Sequence, residues 1–88
     1  MNVKERMMQT LERAFAPVFL DVSDDSHQHA GHGGWRETGQ THFSVKIVAA
    51  SFAGMSRVQR HRAINAALAD ELKGGVHALA IEVKAPGE

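Results

Sequence analysis

At 88 residues, 43% of them hydrophobic, the chain has room for one small domain with a core, spanning 1–88, and not for two. It contains no Cys, which excludes a disulfide framework and any thiolate zinc or iron–sulfur site built by this chain alone. Ten Lys and Arg balance ten Asp and Glu, so net charge gives no general affinity for polyanions, and no apolar run approaches the roughly 20 residues of a membrane helix.

The N-terminal "MNVKERMMQTLERAF" lacks the apolar centre of a secretory signal, so a cytoplasmic protein is expected. Residues 2–15 put Val3, Met7, Leu11 and Phe15 at steps of four, with Met8 beside them. That spacing predicts an amphipathic helix, ended by Pro17. "VFLDVS" (18–23) is short and rich in β-formers and predicts a strand. Residues 24–40 have no period and read as loop. "THFSVKIVAA" (41–50) alternates, with Phe43, Val45 and Ile47 on one face and His42, Ser44 and Lys46 on the other, which predicts a half-buried strand. "SFAGMS" is a turn with Ser56 as N-cap, and residues 57–73 predict a helix whose buried stripe is Val58, Ile64, Leu68 and Leu72. Gly74 and Gly75 stop it. A last strand, 76–85, carries Leu79, Ile81 and Val83 on one face, and Pro86 closes it.

The order α-β-β-α-β predicts an α+β domain. The first two strands pair antiparallel, and strand two, helix two and strand three form a right-handed parallel crossover. The simplest sheet puts strand two in the middle and both helices on one face. The loop then leaves and re-enters at the edge where strand three starts. His42 and His77 are expected there, beside the loop histidines, because neighbouring strands lie only about 4.8 Å apart.

Three histidines, His27, His29 and His32, fall within six positions of that loop, among Gly31, Gly33 and Gly34. Neutral imidazoles on a glycine-rich backbone suit zinc, copper or iron, while the same composition also describes a solvated polar loop. His77 shares strand parity with Leu79, Ile81 and Val83, so it is either a hydrogen-bonded histidine at the core's edge or a ligand. "SRVQRHR" places Arg57, Arg60, His61 and Arg62 on the first turns of the second helix. Three readings fit this patch: phosphate contacts of a helix-turn-helix, docking of an acidic partner, or a solvated face. "GHGG" matches the G-x-x-G of nucleic-acid-binding KH domains, but it joins two predicted strands instead of two helices, so the match is discarded. No nucleophile–base arrangement is visible, and a non-enzymatic role is expected.

Thr41-His42-Phe43, Phe52-Ala53-Gly54, Arg60-His61-Arg62, Leu68, Glu71-Leu72 and Val76-His77-Ala78-Leu79 together resemble the BolA family over nearly the whole chain. The resemblance implies an αββαβ fold related to class II KH domains, without the gripping G-x-x-G. It also implies a partner, a monothiol glutaredoxin with a C-G-F-S active site, with which a [2Fe-2S] cluster is shared. In that arrangement the glutaredoxin Cys and glutathione supply sulfur. The family's constant ligand falls on His77, and the second ligand falls on the loop, His32 first and His29 as its alternative. Members of the family are also described as transcription regulators, which implies DNA as the alternative partner, met by Arg57, Arg60, His61 and Arg62.

Overall fold

The computed structural model describes residues 2–25, 42–76 and 78–88. Helix α1 (Val3–Phe15) starts at Asn2, whose side chain accepts the Glu5 N–H at 2.9 Å. It ends at Ala16, in the left-handed region at φ 47°, which turns the chain just before Pro17. Strand β1 (Phe19–Asp24) and strand β2 (His42–Val48) follow. A 3-10 turn (Ala50–Phe52) and Gly54, at φ 80°, lead into helix α2 (Arg57–Ala67). Ser56 and Gln59 start that helix with a reciprocal capping box. A short helix α3 (Ala69–Lys73) and strand β3 (Ala78–Lys84) complete the order.

The three strands form one sheet in the order β1-β2-β3. β1 runs antiparallel to β2, with Val22 opposite Val45, and β2 runs parallel to β3, with Val45 opposite Ile81. The arrangement expected from the order of elements is therefore the one adopted. Phe43, Val45 and Ile47 on β2 and Val22 on β1 are buried with Met7 and Leu11 of α1, Phe52, and Ile64 and Leu68 at the far end of α2. These inward residues share one sheet face, so both long helices cover that face. Phe15 packs on Phe52 with ring centroids 4.8 Å apart. The Arg6 Nε donates to Glu71 Oε1 at 2.9 Å and ties α1 to α3.

Two sequence expectations change. Residues 57–73 are not one regular helix: at Leu68 a φ of −99° and a ψ of 16° leave the helical range, although its N–H still donates to the Ile64 carbonyl at 3.0 Å and its side chain stays in the core. Val58 is not in the buried stripe but 57% exposed. At 100° per residue, Val58 lies about 120° around the helix from Ile64, whereas Leu68 lies only about 40° from it. The first and last strands are also slightly displaced or shorter than expected, and Val18 is exposed before β1 begins.

Burial assigns unequal weights to these side chains. Ile64→Ala, at a site with no solvent exposure, is expected to cost about 2–5 kcal/mol in urea unfolding. Val58→Ala is expected to stay within about 0.5 kcal/mol.

Candidate functional site

Two regions carry the chemistry. The first is the sheet edge where β1 ends and β2 and β3 begin. Asp25 N–H donates to the His42 carbonyl at 2.7 Å, holding together the two residues that flank 26–41. The Asp25 carboxylate accepts from the Ser23 hydroxyl at 2.9 Å and also from the Ser44 hydroxyl of the adjacent strand. This cross-strand clasp fixes the side chains at the end of the β1–β2 ladder. His42, half-buried, sits opposite Ala78, the residue that follows His77 in the chain. His29, His32 and His77, with His27, lie outside the described residues. Among the described residues no group of three or more His, Asp or Glu is gathered closely enough to hold a metal ion.

The second region is a groove of about 550 Å³ between the start of α2 and β3, lined by Met55, Arg57, Arg60, His61, Ile81, Glu82 and Val83. Arg57, Arg60 and His61 therefore meet on one wall. Arg62 is exposed elsewhere on the helix, about 200° around from Arg60. Arg60 is the engaged member of the set. Its Nε donates to the Met55 carbonyl at 3.0 Å, and its two terminal nitrogens donate to Glu88 Oε1 and Oε2 at 2.5 and 2.7 Å. Glu88 Oε1 also accepts the Ala85 N–H at 3.0 Å. The Arg60 side chain is only 12% exposed and that of Glu88 is 44% exposed. Arg57 and Arg62 are exposed and form no ion pair among the described residues.

The hydrogen bonds from Arg60, then that from the Ala85 N–H, hold the Glu88 carboxyl down to about 2. The same pair pushes the Arg60 guanidinium further up. Sequence reading singled out Arg60 but not its partner: 28 residues separate the two, and no local period links them.

These features define a small α+β module of αββαβ order, with a mixed three-stranded sheet and a clasped basic groove. The family model described as BolA-like protein matches residues 11–88. An uncharacterized protein from the cobS 5′ region of Sinorhizobium sp. is 53% identical over 100% of this chain and 96% of its own length. The solved structure of BolA1 from Arabidopsis thaliana superposes with a TM-score of 0.89 at 42% identity, covering 100% of this chain and 96% of that one. The solved BolA domain of SufE1 from the same plant gives 0.86 at 46% identity, covering 98% and 95%. This chain spans only 24% of the full SufE-like protein 1. The chain belongs to the BolA family.

Glu88 is charged at neutral pH in both the folded and unfolded chain, and its carboxyl is held below the ordinary 4.5 only in the fold. Its contribution is therefore complete above about 4.5 and is lost as pH falls from there through about 2. Glu88→Gln is expected to lower the melting temperature at pH 7, with the gap to wild type closing across that acid window. A gap independent of pH in thermal melts would show that the clasp does not depend on the carboxylate charge.

Proposed function

We propose that the protein is a non-enzymatic partner of a monothiol, C-G-F-S glutaredoxin, with which it shares a glutathione-dependent [2Fe-2S] cluster. His77 would be one ligand and His32, or in its place His29, the other. The observation that carries this reading is the strand register. His42 pairs with Ala78, and Asp25 bonds the His42 carbonyl, so the residues flanking 26–41 lie at the edge where β3 starts. Membership of the BolA family supports it.

The donor set fits half of such a site. Six His and no Cys give nitrogen but no sulfur, so the thiolates must come from the partner and from glutathione. Imidazole in place of thiolate raises the potential of a [2Fe-2S] centre. Each histidine binds only when neutral, so loading weakens on acidification. On this chain, the clasp of Asp25, Ser23 and Ser44 keeps the sheet edge closed and its backbone spacing fixed. The protein's contribution is to supply the imidazoles.

The alternative reading, DNA binding through α2, draws on the exposed Arg57 and Arg62. Two free arginines correspond to a salt slope of about −2 in log affinity against log salt. Arg60, engaged with Glu88, would have to leave its partner first.

The deciding experiment is anaerobic reconstitution with a C-G-F-S glutaredoxin, glutathione, iron and sulfide, followed by visible circular dichroism and EPR. A mixed-ligand spectrum distinct from that of the glutaredoxin alone is expected. His77→Ala should abolish it with far-UV circular dichroism unchanged, and His32→Ala should alter it. Identical spectra for all three proteins, matching the glutaredoxin alone, would remove the cluster reading.

A further inference from the structure

The groove between α2 and β3 stands apart from the histidine edge and uses none of its residues. Its helix side carries Arg57, Arg60 and His61 with Met55 just before them, and its sheet side carries Ile81, Glu82 and Val83, of which Ile81 and Val83 are half-buried. Among the described residues β3 pairs only with β2 and stands at the edge of the sheet, so alternate backbone N–H and C=O groups along its outer side have no strand partner there. A carboxylate already occupies the arginine on the wall: Glu88 binds Arg60 at two points, 2.5 and 2.7 Å.

We propose that this groove receives an extended, acidic peptide segment of a partner protein, added as a fourth strand on β3, and that Glu88 is its internal competitor for Arg60. Three observations fix the occupant as peptide. An open strand edge offers backbone hydrogen bonds that only another polypeptide backbone matches in register. The half-buried Ile81 and Val83 give alternate apolar contacts of the kind a strand's side chains make. Arg62, which would extend a phosphate track, lies outside the groove. Arg57 supplies a cation that has no ion pair among the described residues, while Arg60 becomes available as Glu88 leaves.

The test is a titration of the full chain, followed by amide and arginine side-chain NMR. The probe is an acetylated octapeptide of alternating valine and threonine closed by two glutamates. Its glutamine counterpart and a single-stranded oligothymidylate are run in parallel. The acidic peptide is expected to shift the amides of residues 80–84 and the Arg60 side chain, and to bind more tightly than the glutamine form. Glu88→Gln should tighten the acidic peptide about fivefold, because the competent state is no longer masked. Arg57→Ala should weaken it about threefold.

Absence of binding, shifts outside β3 and α2, or equal affinity for wild type and Glu88→Gln would overturn the proposal and leave the clasp a purely structural contact. Preferential binding of oligothymidylate at the same residues would overturn it in favour of nucleic acid. None of these outcomes decides whether the chain ligates a cluster, which is read by other spectra and other variants.

Discussion

β2 exchanges backbone hydrogen bonds with β1 on one side and β3 on the other, and it turns Phe43, Val45 and Ile47 into the helices with almost no solvent exposure. Register and burial constrain each other here. A slip of one residue would move all three side chains to the uncovered face. At roughly 25 cal/mol per Å² of apolar surface, exposing three such side chains would cost several kcal/mol, a large part of a small domain's stability. Because β1 runs against β2 and β3 runs with it, fixing this one strand also fixes the positions of Asp25, His42 and Ala78. The edge that the proposed half-site uses is a consequence of core packing.

Much of this was legible in the sequence. The steps of four through Met7 and Leu11, and the alternation through Phe43, Val45 and Ile47, report directly which side chains are solvent-free. The connectivity then leaves few sheets to choose from. Val58 was misassigned because an apolar residue near the start of a helix was grouped with a stripe whose angle it does not share. The break at Leu68 leaves no mark in the composition, since Leu68 remains buried on either side of it. As for the histidines, topology predicted that they converge, whereas the roles of His77, His32 and His29 came from family resemblance. These three residues lie outside the described structure.

What sequence could not give is the pairing of charges. Arg60 with Glu88 and Arg6 with Glu71 join residues 28 and 65 positions apart, and each has other oppositely charged residues nearer in sequence. Which pair forms depends on where helix ends and strand ends meet in space. A balanced net charge conceals this distribution. The second helix reads as a basic patch in one dimension. In three dimensions it is one arginine with a dedicated carboxylate, one free arginine at the groove and one facing elsewhere.

That distribution separates two tasks along β3. From Ala78 to Lys84 the strand covers about 20 Å, with the histidine edge at its start and the Arg60–Glu88 clasp beyond its end. Under the proposed function, the first end calls for neutral imidazole and a partner's sulfur. The second end calls for a carboxylate and a free backbone. An extended segment laid along β3 has one terminus beside the clasp and points its other terminus towards Ala78. A single partner could thus engage both ends, with the strand edge setting the distance between them. Binding at the groove would then raise the effective concentration of that partner's thiolate at the histidine edge without any new contact there. On these two proposals, partner recognition and ligand donation draw on different residues held by the same strand, so substitutions at one end leave the residues of the other in place.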